Sequence, residues 1–287
     1  MRTISGQLQL GFLCNYVKKV NGMKETGAIR FHIENSLITL RKDDLCMALG
    51  LKFGGVKPNM EDNFRGTLWR KYFGNKSGVR RSDCQNALMN YNSEDPEAER
   101  NDGVKLALLH VLSHGLFGNQ VARELPALYV NLVDNLDGFN DYPWGDDVWT
   151  ELVDIMRINS KSLKKCVGQR VTLPGCLIAI QVWAFETFTG LEKAEICKLI
   201  EGRESRIPRA VKWEFIKKPS MELLSKIIFK NEQFEWKMME PTNLEGEHFP
   251  NLLANERLSS ERSSNDGIDI VNRVDGVKVF EKKGKNV

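Results

Sequence analysis

The sequence predicts a mainly α protein, an α+β chain with a small N-terminal β-hairpin, a single helical domain over residues 1–245 and a flexible polar tail over 246–287. Three observations predict it. Ile29, Phe31 and Ile33 alternate with Arg30, His32 and Glu34, the period of two that marks a half-buried strand. Downstream, apolar residues recur with helical spacing, most regularly at Leu125, Leu128, Tyr129, Leu132, Val133 and Leu136. Beyond "MMEPTNLEGE" the composition shifts to Ser, Asn, Glu and Arg, which bury too little to fold alone.

Ala28–Leu40 reads as two extended runs about a polar turn at Glu34, Asn35 and Ser36. The period then changes. Leu45, Ala48 and Leu49 share a helical face, Asp43 or Asp44 is placed to cap it, and Gly50 to end it. Residues 54–83 are rich in Gly, Asn and Arg and read as a long loop holding a short helix around Leu68–Phe73. Val104–Leu116 is apolar nearly all round, as a buried helix is. Pro126 suits the first turn of the Leu125–Leu136 helix, which should end near Asp137-Gly138. Asp146 or Asp147 starts the next helix, with Val148, Trp149, Leu152, Ile155 and Met156 facing inward. Leu173–Phe188 is a further apolar helix, Leu191–Ile200 a shorter one ended by Gly202, and Met221–Phe229 another. In the tail, an Asp275-Gly276 turn suits a hairpin. Trp144, Trp149, Trp183 and Phe185 are expected in or near one core cluster.

Of 287 residues, 41% are hydrophobic and 28% charged, ordinary for a soluble globular chain. A net charge of +3 supplies no whole-chain field for nucleic acid or membrane. No apolar run approaches the roughly 18 residues that span a bilayer, and the N-terminus lacks the apolar core of a signal peptide. The six cysteines show no C-x-x-C spacing, so reduced, buried thiols are expected rather than a disulfide framework or a zinc ribbon.

Several short patterns invite chemistry, and each has a plainer reading. "HVLSH" sets His110 and His114 one helical turn apart, but a zinc protease needs Glu where Val111 stands, and no third ligand is near. "SDCQN" places Asp83 before Cys84, similar to the Asp-Cys-Gly of SUMO-deconjugating proteases. Only His32 precedes that cysteine, and the glycine after it is missing. "GNKSG" lacks the glycines of a phosphate loop. Arg65, Arg70, Lys71, Lys76, Arg80 and Arg81, with no acid among them and Trp69, Tyr72 and Phe73 between, form the best nucleic-acid candidate. The plainer reading is a solvated loop whose aromatics enter the core. Asp146 and Asp147, adjacent on a helix, diverge by about 100° and suit a helix start better than an acid–base pair. No metal ligand set, cofactor site or catalytic triad is expected.

"GFNDYPWGDDVWTELVDIM", "LPGCLIAIQVWAFETFTGL" and "RIPRAVKWEF", in that order, resemble a plant family, domain of unknown function nineteen-eighty-five. The resemblance extends over roughly residues 7–245 and includes "FHIENSLITLRKDDLCMALGLKFG", with Ala48 departing from the family's Thr-like position. Tyr142, Pro143, Trp144, Gly145, Trp149, Trp183, Phe185, Pro208 and Trp213 carry it as structural motif residues. Such domains stand ahead of SUMO-protease-like cysteine peptidases of the ubiquitin-like protease family in transposon-derived plant proteins. The resemblance implies a nuclear, otherwise cytosolic, non-secreted protein: a stand-alone or truncated copy without the peptidase. The expected function is a non-catalytic interaction domain with a protein partner and no membrane. The alternatives are a detached or degenerate part of a SUMO-deconjugating protease, and nucleic-acid binding through residues 65–81.

Overall fold

The computed structural model describes residues 11–12, 16–17, 28–59, 64–94, 101–117, 124–163 and 176–252. In chain order the elements are β1 (Tyr16–Val17), β2 (Ala28–Ile33), β3 (Ser36–Arg41), α1 (Lys42–Leu49), α2 (Thr67–Tyr72), β4 (Val79–Arg80), α3 (Arg81–Met89), α4 (Asp102–Val111), β5 (Glu124–Leu125), α5 (Ala127–Leu132), α6 (Leu136–Asp141), α7 (Trp144–Leu163), α8 (Leu177–Thr187), α9 (Thr189–Lys193), β6 (Cys197–Leu199), β7 (Trp213–Phe215), α10 (Met221–Leu224) and α11 (Asn243–His248). π-helical turns prolong α4 through Leu116 and α10 through Phe229. The fold is mainly α with small antiparallel strand pairs, as the sequence predicts. The chain divides into two compact units. Of the described residues, those within 11–51, 156–163 and 177–252 form one, and those within 52–155, with Cys176, the other.

The first unit is built on the sheet β1–β2–β3. Ile33 pairs with Ser36 across a two-residue turn, and Phe31 with Ile38, so Ile29, Phe31, Ile33, Ile38 and Leu40 all point inward. The side-chain period of two makes that register decisive, because a one-residue slip would expose the whole set. Phe31 meets Phe12 and Trp183, with ring centroids 5.1 and 5.5 Å away. Phe188 and Phe229 close the cluster around Phe12. α8 is buried from Ala179 through Thr187, which is why its sequence is apolar on every face.

Charge is buried here too. Arg209 is 5% exposed and sits in the turn between β6 and β7. Its Nε donates to Glu245 Oε1 at 2.7 Å and its Nη2 to Glu245 Oε2 at 2.8 Å. Nη1 reaches Glu186 Oε2 at 3.0 Å, and Nη2 the Glu240 carbonyl at 2.5 Å. Glu186 also accepts from Trp213 Nε1 at 2.8 Å, and Glu245 closes the capping box of α11 with Thr242. One guanidinium thus ties α8, the β6–β7 turn and α11 together.

The second unit holds α2–α6 and the first turns of α7, with β4 and β5 forming a two-residue ladder. α3 packs on α4, and α2 on α5. The start of α2 is capped by other elements: Asn131 Oδ1 accepts from the Gly66 amide at 2.9 Å and Asp134 Oδ1 from Leu68 at 3.0 Å. A Cβ on Gly66 would lie 2.1 Å from Asp134 Oδ2, so a side chain there would displace the carboxylate that caps α2. Phe117, Tyr129, Phe139 and Tyr142 surround Trp144.

Several expectations are corrected. Trp144, Trp149, Trp183 and Phe185 are all buried, but they divide between the two units instead of sharing one cluster. The Leu125–Leu136 stripe is two helices, α5 and α6. Asn135 breaks the run by capping α6 through Gly138, a side-chain bond that competes with helix continuation. Leu191–Ile200 is not one helix. Glu195 adopts a left-handed φ of 54°, and Cys197–Leu199 becomes β6 because β7 gives it a pairing partner. α1 is capped by Arg41, with Asp44 bonding back to the Arg41 amide, while Gly50 ends it in the left-handed region as expected. α7 begins at Trp144, two residues before Asp146. Packing continues past residue 245, with Phe249 and Leu252 buried. The Asp275-Gly276 hairpin and residues 253–287 lie outside the described residues.

Removing one partner of a buried ion pair leaves the other charge uncompensated. Arg209→Ala should destabilise the protein by about 3–5 kcal/mol, whereas the exposed Arg206→Ala should stay within about 0.5 kcal/mol. Urea midpoints at neutral pH read the contrast.

Candidate functional site

Cys84 lies on α3 and is fully buried. Burial pushes its thiol up to about 11, and neighbouring Asp83 adds to the rise against a Ser113 hydrogen bond. A thiol held so high is almost wholly protonated at neutral pH and is a poor nucleophile. Ser113 Oγ lies 2.9 Å from His114 Nδ1, and the rings of His114 and His110 stack with centroids 3.9 Å apart. The sequence therefore brings a thiol, a hydroxyl and two imidazoles into one line, but it does not activate them. Burial, then His110 and Arg81, push His114 down to about 4, leaving it a weak base. Asp83 does not orient a histidine: it pairs with Lys76 and accepts from the Arg80 amide in the capping box of α3. Among the described residues no group of three or more His, Cys, Asp or Glu is arranged to hold a metal ion.

The basic aromatic segment folds around α2. Trp69 and Phe73 are buried and Tyr72 is half-buried with its hydroxyl on Asp102, so these rings are not an open stacking platform. Lys71 pairs with Asp102 at 2.6 Å, Lys76 with Asp83, and Arg80 with Glu124 at 3.5 Å. Arg65 lies 4.0 Å over the Trp69 ring and donates to the Phe64 and Ser77 carbonyls. Arg70 is exposed and Arg81 half-buried.

"YPWGDDVW" is a junction. Gly145 donates to the Lys52 carbonyl at 2.8 Å, and Asp146 accepts from the Gly54 amide at 2.9 Å. Asp147 Oδ2 accepts from the hydroxyls of Tyr129 and Tyr142 at 2.7 and 2.6 Å, and its Oδ1 pairs with Lys57. Burial first, and the Asp147 bond second, raise both phenols. The two carboxylates serve different partners, so they form no acid–base pair. They sit in the first turn of α7, where negative charge favours the helix.

A constellation that the sequence reading missed is the β6–β7 hairpin of the first unit. Its ladder runs from Ile216 N–Ile196 O to Ile200 N–Lys212 O. Trp213 and Phe215 pack against Phe185 at 5.8 and 6.4 Å, which fixes one face of the hairpin. Glu214 and Ile216 face outward, Ile216 being 45% exposed. The connection between the two strands holds a hollow of about 320 Å³ lined by Arg203, Arg206, Ile207 and Val211. Of the motif residues, Trp213 binds Glu186 and Pro208 precedes Arg209, whose ion pairs with Glu186 and Glu245 hold the turn of the hairpin. The missed signal was the pair Leu199 and Trp213, which meet in register although they are far apart in sequence.

Residues 22–154 match the family model of a domain of unknown function, DUF1985. The match covers somewhat under half of the chain and includes β2, β3, α1 and "YPWGDDVW"; the α8 and "RIPRAVKWEF" motifs lie beyond it. No curated protein and no solved structure matches. Among the described residues no helix is long and apolar enough to cross a membrane.

His114 is neutral in the folded chain down to about pH 4, while an unfolded histidine takes a proton near 6.5. The unfolded state thus binds more protons between these values, so the His114 contribution to stability is intact above pH 6.5 and is lost progressively as the pH falls toward 4. His114→Phe should flatten that slope, read from urea midpoints at pH 7.5, 6 and 5. At the junction, Asp147→Ala leaves two tyrosine hydroxyls and Lys57 without their acceptor. It should cost about 2–4 kcal/mol, again from urea midpoints.

Proposed function

We propose that this chain is a non-catalytic protein-interaction domain, acting in the nucleus of a plant as part of a transposon-derived, SUMO-protease-associated protein. The observation that carries the reading is the β6–β7 hairpin, which keeps a strand edge and an arginine-lined hollow open at the surface. The chemistry elsewhere supports the same direction. Cys84 is buried and held protonated, and the lysines of the 65–81 segment are turned to acids of their own unit. The plant and nuclear setting rests on the resemblance of the three sequence motifs.

Two measurements test it. Incubation with a SUMO vinyl sulfone probe should leave Cys84 unmodified by mass spectrometry, and an adduct there restores the protease reading. The immobilised full chain should retain a specific protein from plant nuclear extract; recovery of nothing above background overturns the interaction reading.

A further inference from the structure

The hydrogen-bond phase of the hairpin decides what its outer edge offers. Residues of an antiparallel pair alternate between those bonded to each other and those whose main-chain groups turn outward. Ile196–Ile216 and Ile200–Lys212 are bonded pairs, which makes Lys198–Glu214 the third. The N–H and C=O groups of Trp213 and Phe215 therefore point away from β6. No hydrogen bond uses them among the described residues. On the opposite edge, the corresponding amide of Leu199 is already turned to Glu192 at 3.4 Å. The β7 edge thus has all four of these main-chain groups without a hydrogen bond among the described residues, and the β6 edge one of its four engaged.

The segment that carries the free edge has an excess of basic residues, with Glu201 and Glu204 exposed in its turn. Between Lys198 and Lys218 stand seven basic residues and three acidic ones. Arg209 is neutralised by Glu186 and Glu245, Lys217 approaches Glu195 at 3.7 Å, and Glu214 stands opposite Lys198. Arg206 and Lys218 have no carboxylate partner among the described residues, and Arg203 makes only a long 3.4 Å bond to the Val211 carbonyl. Two arginines with Ile207 and Val211 line the hollow, which sets guanidinium donors beside an apolar wall.

We infer that the β7 edge docks an extended acidic peptide, which adds as a third strand on Trp213 and Phe215 and sets its carboxylates against Arg203 and Arg206. This rests on the interaction reading above and names the class of partner. Strand addition gives affinity through the main chain and specificity through alternate side chains. Lysines beside an edge strand ordinarily repel casual pairing. Here Lys218, with no carboxylate partner among the described residues, disfavours basic strands and attracts an acidic one. Pro219 has no N–H to donate and ends the usable edge. A second copy of the chain is the poorer occupant, because pairing two β7 edges would bring two basic surrounds together.

The test uses the full chain and fluorescein-labelled decapeptides read by anisotropy. One alternates valine and glutamate, a second replaces glutamate by lysine, and a third is the glutamate peptide N-methylated throughout. The glutamate peptide should bind at least tenfold more tightly than the other two. Arg203→Glu with Arg206→Glu, both at exposed positions, should weaken it at least tenfold and favour the lysine peptide. Equal binding of the N-methylated peptide overturns strand addition, leaving charge alone. Equal binding of the lysine peptide, or none by any peptide, overturns the proposal. So does a dimer in sedimentation that the glutamate peptide fails to dissociate and the double variant abolishes, since that seats a second copy on the edge. Retention of a nuclear protein undiminished in the double variant keeps the interaction reading but moves docking elsewhere.

Discussion

A buried guanidinium governs the first unit. Taking Arg209 out of water costs several kcal/mol unless its donors are matched by acceptors of fixed position. The chain meets this with two carboxylates and a carbonyl drawn from α8, α11 and the segment before α11. Each carboxylate then has a second duty. Glu186 holds the Trp213 indole, and Glu245 caps its own helix. The placement of β7, and with it the open edge, follows from this demand. Burial lowers the affinity of Lys212 for its proton, whereas the facing glutamates more than offset burial for Arg209 and keep it charged. The arginine is the fixed point, and the lysine beside it is not.

The second unit applies the same physics with the sign reversed. There the organising groups are carboxylates: Asp102 under Lys71 and Tyr72, Asp134 at the start of α2, and Asp147 under two tyrosines and Lys57. A carboxylate accepts several bonds at once, so one residue can join elements far apart in the chain. This explains why Lys71, Lys76 and Arg80, three cations of a segment that has six and no acid, are already paired. Their counter-charges come from Asp83 two residues past the segment's end, from Asp102 and from Glu124. The Cys84–Ser113–His114 line fits the same picture. Burial drives both the thiol and the imidazole toward their neutral forms, which suits packing and not proton transfer.

Legibility in the sequence tracked the range of the interaction. The β2–β3 hairpin, its two-residue turn, Gly50 at the end of α1 and the apolar α8 were readable because each depends on neighbours within a few residues. The helix break at Val133–Asn135 was hidden behind an unbroken apolar stripe, since capping by Asn135 leaves the hydrophobic period intact. β6 was hidden for a related reason. Three residues have no strand character until a partner supplies the ladder, and Leu199 and Trp213 are brought together only by the turn that Arg209 holds.

By itself the sequence determined the class of fold, most helices and the inward set of the N-terminal sheet, because hydrophobic period and local caps are written in adjacent residues. It also marked "YPWGDDVW" and "RIPRAVKWEF" as positions of special packing. Tertiary structure alone decided which charges are paired, how deeply the thiols are sealed and which strand edge stays open. Those outcomes depend on distance and solvent exposure between residues remote in the chain, and neither quantity has a local signature. The feature that separates a candidate docking edge from an ordinary hairpin is the outward direction of four main-chain groups on Trp213 and Phe215, set by the register between β6 and β7.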